Sequence, residues 1–176
     1  IGSGLAGLTA GLFAARHGVS TLILESNIPG GHLISIEKIE DFPGFPEGIA
    51  GYDLCPNLQR QASDYGAEFQ RAEVVRLEAA GKSWSVVTEE ETYRAKAVIV
   101  ATGGSTSPLE FRRMFDPRLT AEIQVGGEPY SYQDASGELA GMAVGAALWG
   151  LNHQALENGA TMRAQRALAT KYNYTT

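Results

Sequence analysis

The sequence predicts an α/β protein with a parallel sheet, a small antiparallel sheet and a helical C-terminal extension. Within residues 1–25, a glycine-rich turn leads into an apolar helix and then into a short β-rich run. Short strand candidates, some with alternating polarity, follow one another through residues 67–94. Residues 97–101 form an unbroken apolar run, which is typical of a strand buried on both faces in a parallel sheet.

The composition is that of a folded protein and excludes several classes of function. Of the 176 residues, 44% are hydrophobic and 19% are charged, so the chain can bury a core. Its 14 Lys and Arg against 20 Asp and Glu give a net charge of −6, which argues against nucleic-acid binding. The single cysteine, Cys55, excludes a disulfide framework, a CxxC redox pair and a multi-cysteine zinc site within these residues. Without an apolar run of about 20 residues or a visible signal peptide, we expect a cytoplasmic protein with no membrane span.

The first element is a G-x-G-x-x-G turn that opens a helix over residues 5–16. Its first glycine allows a sharp turn, the second lets a diphosphate approach the backbone, and the third lets the helix lie close to the sheet. The start of the helix directs amide groups and partial positive charge at the phosphates. The residues predicted to form this phosphate site are Gly2, Ser3, Gly4, Leu5, Ala6 and Gly7.

The second element is a strand over residues 20–24 that ends at Glu25. Glu25 follows Gly7 at close to the spacing at which an acidic residue binds a ribose 2′-hydroxyl, about 20 residues. A carboxylate at this point would repel a 2′-phosphate, so NADP is disfavoured here. The alternative is a glycine-rich turn that binds no ligand. Only Ile1 remains of the strand that should precede Gly2, so we expect the first strand to be truncated.

The segments GSGLAG, LILES, PGGHL, IEDFPGFPEGI and YGAEF occur in this order within residues 1–104. In these segments the chain resembles the thioredoxin-reductase-like FAD domain of the pyridine nucleotide-disulfide oxidoreductases. The resemblance implies a Rossmann-like FAD-binding domain over residues 1–104 and FAD as the cofactor. The family has a small antiparallel sheet after this point. The spacing of Leu54, Leu58 and Ala62 independently predicts a helix over residues 51–65.

The resemblance adds further FAD contacts. Gly30 and Gly31 would let the loop pass close to the flavin, and His32 stands where the family usually has Gln, with an ordinary loop histidine as the alternative. The backbone near Val75 would meet the adenine. The ATGG run after the apolar strand resembles a second FAD-contact motif. That motif adds Ala101, Thr102 and Gly103.

The segments ATGGSTSPLEFRRMFDPRLTAE and QDASGELAGMAVGAALWG occur after residue 97. In these segments the chain resembles, more loosely, the fumarate-reductase and succinate-dehydrogenase-type flavoproteins. The resemblance implies that residues 105–176 begin a capping domain. The residue pattern itself predicts a helical extension, with helices over 137–151 and 155–172. No second G-x-G-x-x-G and no CxxC follow residue 104, which argues against thioredoxin reduction by these residues alone.

The predicted function is that of an FAD-binding flavoprotein oxidoreductase acting on a small-molecule substrate, with no catalytic residue and no metal site identified. One alternative is a truncated, catalytically silent nucleotide-binding fragment, because the Gly-Asp turn that closes the flavin site in both resembled families does not occur here. A weaker alternative is an NAD-binding dehydrogenase domain. A second copy of the chain, or a partner supplying the missing flavin-site segment, remains open.

Overall fold

The computed structural model describes residues 1–105, 108–114, 117 and 133–148. The chain divides into two compact units, Ile1–Thr102 and Gly103–Thr176; the predicted domain boundary at residue 104 stays a prediction. In chain order, the elements of the first unit are α1 (Leu5–Arg16), β1 (Leu22–Glu25), a 3₁₀-helix (Gly31–Ser35), α2 (Gly51–Asp64), β2 (Glu68–Arg71), β3 (Val74–Ala80), β4 (Ser83–Thr88) and β5 (Thr92–Ala95).

Two sheets are present in the first unit. Strands β1 and β2 pair in parallel, from Leu22 opposite Glu68 to Glu25 opposite Arg71. Strands β3, β4 and β5 form an antiparallel sheet in that order. The predicted combination of a parallel sheet, a small antiparallel sheet and helices is therefore confirmed, with strand ends shifted by up to three residues.

The core of this unit lies where α1 and α2 meet the parallel sheet. Leu12 and Ala15 of α1 and Ile23 of β1 are buried together with Ala62 and Ala67. Small residues bring α1 close to the sheet: a side chain at Gly11 would come within 2.4 Å of Ile23 Cδ1. Burial of a side chain such as Leu12 or Ile23 stabilises the fold by about 1.5–3 kcal/mol.

The apolar run 97–101 differs from its prediction, because the structure assigns no strand to it. Ile99 and Val100 remain 58% and 42% exposed. The Ile1 nitrogen donates to Ile99 O at 2.7 Å, and Ala101 N donates to Ile1 O at 2.8 Å. These bonds have the pattern of parallel pairing. Within the described residues, however, the run pairs through one residue, Ile1, which is too short a ladder to make a strand buried on both faces.

The described part of the second unit contains α3 (Leu109–Arg113) and α4 (Ser136–Ala143). The predicted helix 137–151 is wrong over residues 144–148, because the chain turns at Gly145, which has a φ of 88°, and Gly145 N donates to Met142 O. Residues 149–151 and the predicted helix 155–172 lie outside the described residues. None of the described helices combines the length and apolar character needed to cross a bilayer.

Candidate cofactor-binding site

The opening turn lies between β1 and the segment that ends at Thr102. Gly2 N donates to Leu24 O at 2.8 Å. Gly2 has a φ of 90°, and a side chain there would lie 2.4 Å from Ala101 O. A side chain at Gly7 would lie 1.9 Å from Gly2 O. Both positions therefore accept only glycine, and α1 starts in direct contact with the turn.

Gly4 differs from these two glycines. It precedes the first residue of α1 with a φ of −65°, a conformation open to any residue. A Cβ at Gly4 would have no atom within 4 Å. Among the described residues, no side chain caps this helix start and no acidic residue lies in its first turn. The helix start therefore presents amide groups to an open space, an arrangement that suits an anion.

Glu25 is bonded to the opening turn. Its Oε2 accepts hydrogen bonds from Ser3 N at 2.8 Å and from Ser3 Oγ at 2.7 Å. Its Oε1 accepts one from Asn27 N at 2.9 Å. The acid predicted to bind ribose is thus held half-buried beside the predicted phosphate site. The role of Asn27 was missed, since it uses a backbone amide that any residue would supply.

The glycine-pair loop reaches the same place. Gly30 N donates to Ser3 O at 2.9 Å, and a side chain at Gly31 would lie 3.1 Å from Gly4 Cα. The structure thus brings two glycine segments and one acid together. We call this group of residues the glycine cradle: Gly2, Ser3, Gly4, Gly7, Glu25, Gly30 and Gly31.

Cys55 of α2 packs against the glycine-pair loop at Gly30. Its thiol lies 3.7 Å from Gly30 O, and a side chain at Gly30 would lie 2.8 Å from Cys55 Cβ. Burial raises the pKa of the Cys55 thiol above its ordinary value, so the buried group stays protonated at neutral pH. The sequence does not predict this contact between Cys55 and residue 30, because nothing local to α2 indicates it.

The other predicted site residues are more dispersed. Leu5 and Ala6 lie in the first turn of α1, and Ala101 contacts the turn at Gly2, with Thr102 directly after it. His32 is half-buried in the 3₁₀-helix. Val75 lies in β3 with its side chain 54% exposed, and Gly103 is the first residue of the second unit.

A polar cavity of about 230 Å³ lies next to Glu25 in the chain, because Ser26 is one of its lining residues. Its lining combines one basic residue with three acidic ones, which sequence reasoning did not bring together because they come from the ends of β2 and β4. Its lining residues are Ser26, Arg71, Ala72, Glu73, Thr88, Glu89 and Glu90. In the described part of the chain, no group of His, Cys, Asp and Glu is arranged to hold a metal ion.

A model of the family described as pyridine nucleotide-disulphide oxidoreductase matches residues 1–125. Among curated relatives, NADPH-dependent thioredoxin reductase 3 of Arabidopsis thaliana is 37% identical over 64% of this chain and 22% of its own length. The thioredoxin reductase of Streptomyces coelicolor is 43% identical over 62% of this chain and 34% of its own. The chain spans only 22% to 36% of the length of such relatives.

Solved structures show the same fold. The thioredoxin reductase of Lactococcus lactis superposes with a TM-score of 0.58 at 35% identity, covering 62% of this chain and 36% of the other. The enzyme of Streptococcus pyogenes superposes with a TM-score of 0.57 at 34% identity, covering 73% and 37%. These likenesses confirm the predicted Rossmann-like α/β fold.

Proposed function

The chain belongs to the pyridine nucleotide-disulphide oxidoreductase family, and on that premise we propose that the glycine cradle binds the ADP half of FAD. The family assignment confirms the predicted thioredoxin-reductase-like character and FAD as the cofactor. The likeness to fumarate-reductase-type flavoproteins after residue 97 stays a prediction. When bound, FAD supplies hydride and electron transfer through its isoalloxazine ring.

The open face of Gly4 is the observation that carries the proposal. At Gly2 and Gly7, neighbouring backbone occupies the space that a side chain would need. At Gly4 that space is empty and lies beside the uncapped start of α1. A serine, aspartate or asparagine at this N-cap position would accept a hydrogen bond from one of the helix amides, which glycine leaves free. The bare position therefore fits a diphosphate that occupies the space and accepts the helix amides.

Each remaining predicted residue has a part in the proposal. Glu25 accepts a hydrogen bond from the adenosine ribose, and the loop at Gly30 and Gly31 lets the flavin pass close to the backbone. The resemblance assigns the adenine side to the backbone near Val75, and further flavin contacts to Ala101, Thr102, Gly103 and His32.

The test is the variant Gly4→Ala. Its added methyl group meets no atom of the protein within 4 Å, so the fold should persist while the diphosphate is obstructed. We expect FAD binding, measured by flavin fluorescence quenching, to weaken about tenfold or more, a loss of at least about 1.4 kcal/mol. The matched control is Gly141→Ala, which adds the same methyl group at an ordinary 3.5 Å contact with Ala146 in the second unit.

Ligand choice separates this proposal from its alternatives. FMN lacks the adenosine and one phosphate, so it should bind far more weakly than FAD. A chain that retains no yellow flavin after gel filtration would support the silent fragment. Binding of NAD in preference to FAD would support the dehydrogenase alternative. Full FAD affinity in Gly4→Ala would contradict our placement of the diphosphate.

At the level of activity, we propose flavin-mediated oxidation or reduction of a small substrate that remains to be identified. Thioredoxin reductases are among the relatives, but the 176 residues contain a single cysteine. A role in disulfide reduction would therefore need a dithiol from outside these residues. Cytoplasmic localisation, and a second copy or partner that completes the flavin site, stay predictions.

A further inference from the structure

Ser3 is the most enclosed residue of the glycine cradle. It is 0% exposed, although it lies between Gly2 and Gly4 in a turn that we propose faces a cofactor. Its hydroxyl donates to Glu25 Oε2 at 2.7 Å. Because a serine hydroxyl carries one proton, that proton is not available to a phosphate oxygen.

The bonds of Glu25 are divided unequally between its two oxygens. Oε2 accepts both the amide and the hydroxyl of Ser3, whereas Oε1 accepts only the amide of Asn27. A carboxylate offers about four lone-pair positions, two on each oxygen. The contacts of the described residues thus saturate Oε2 and leave one acceptor position on Oε1.

We infer that Ser3 is a positioning residue for cofactor binding: its hydroxyl holds Glu25 through Oε2 so that Oε1 accepts the 2′-hydroxyl of the adenosine ribose. This inference rests on the proposed function. The side chain of Ser3 itself makes no contact with the cofactor. Its backbone has a second task, because Ser3 O accepts the amide of Gly30 at 2.9 Å and so joins the carboxylate to the flavin loop.

Removal of the hydroxyl leaves the carboxylate with one bond at Oε2 instead of two. Ser3→Ala deletes the shortest of the three hydrogen bonds to Glu25 while the Ser3 amide, the Gly30 bond and the helix start remain. Hydrogen bonds to charged groups are roughly twice as strong as neutral ones, so the two remaining amide bonds should hold the carboxylate less firmly in this orientation. The loss should appear in ribose recognition and not in diphosphate binding.

The experiment measures FAD affinity by fluorescence quenching in the wild-type chain, Ser3→Ala, Glu25→Gln and the double variant. It repeats each titration with an FAD analogue whose adenosine lacks the 2′-hydroxyl. We expect Ser3→Ala to weaken FAD about tenfold and the deoxy analogue less than about twofold. In the Glu25→Gln background, Ser3→Ala should have little further effect, because the two residues act as one unit.

Two further variants control for the loss of a serine hydroxyl in general and for a failure of Ser3→Ala to fold. Ser83→Ala removes a serine hydroxyl bonded to Ala80 O in the β3–β4 turn and should change neither affinity. If Ser3→Ala does not fold, Ser3→Cys keeps a similar volume with a weaker donor and should show the same selective loss at smaller size.

The outcomes separate the two proposals. A wild-type chain that binds FAD while Ser3→Ala weakens FAD and the deoxy analogue equally would overturn the positioning role alone. Unchanged affinity in Ser3→Ala would do the same. A wild-type chain that binds no FAD would overturn the proposed function and this inference together.

Discussion

The glycine cradle and the three-stranded sheet β3–β5 belong to the same unit but are built in opposite ways. The cradle is joined by bonds between residues far apart in sequence, such as Gly2 to Leu24 and Ser3 to Glu25. The sheet is joined by pairing between strands that follow one another directly, with Gly81 at the first turn. The cradle forms because glycines without side chains let backbone segments approach each other closely. The sheet instead uses side chains that alternate between its two faces.

This difference has a consequence for how each region tolerates change. A methyl group added at Gly2 or Gly7 of the cradle meets backbone atoms, which cannot move aside without displacing a helix or a strand. A methyl group added at the tip of the sheet meets open space. We therefore expect steep effects in the cradle and shallow ones in the sheet.

The largest effect is expected for Gly7→Ala. Its Cβ would lie 1.9 Å from Gly2 O, so α1 would have to move away from the turn. We expect the free energy of unfolding to fall by about 3 kcal/mol, measured by urea denaturation followed by circular dichroism. The matched control is Gly4→Ala, three residues earlier, which should cost no more than about 1 kcal/mol as the loss of a favoured helix-capping residue. Equal stability of the two variants would contradict the comparison.

The sequence predicts the sheet and the helices better than it predicts the cradle. Helix 5–16 was predicted with the bounds that α1 has, because an apolar run is bounded by glycine at its start and by His17 and Gly18 at its end. Strand β4 corresponds to one of the short strand candidates, since Trp84, Val86 and Thr88 recur at every second residue and so share one face. Such signals are local, so the residues that carry them also form the element.

The cradle is only half visible in the sequence. The glycine spacing indicates a phosphate site, yet nothing local shows that Gly30 bonds to Ser3 or that Cys55 lies beneath Gly30. These contacts depend on the packing of α2 against α1, which sequence patterns do not specify. The prediction of a buried strand at residues 97–101 was wrong for a related reason. The composition of this run suits such a strand, but among the described residues its backbone pairs only with Ile1.

A smaller effect is expected for Gly81→Ala in the β3–β4 turn. Gly81 has a φ of 68° with open space around it, so the cost is the left-handed backbone alone, about 1 kcal/mol. Gly81→Asn should recover part of that loss, because asparagine tolerates this conformation. FAD affinity should stay at the wild-type value in both variants. A loss of FAD affinity here would show that sheet and cradle are coupled.

The smallest effect concerns the thiol beneath the cradle and appears only in alkaline solution. Burial raises the pKa of Cys55, so folded and unfolded chains are equally protonated below the ordinary thiol pKa and stability does not depend on this group there. As the pH rises above that value, the unfolded thiol ionises first, and the free energy of unfolding should fall until the folded thiol also ionises. Urea denaturation across this range should show a steeper decline for the wild-type chain than for Cys55→Ala, which serves as the control.

Because only the slopes of stability against pH are compared, the cavity left by the alanine does not affect the result. Identical slopes would mean that the thiol is not buried beneath Gly30 and would contradict the packing of Cys55 against the glycine-pair loop.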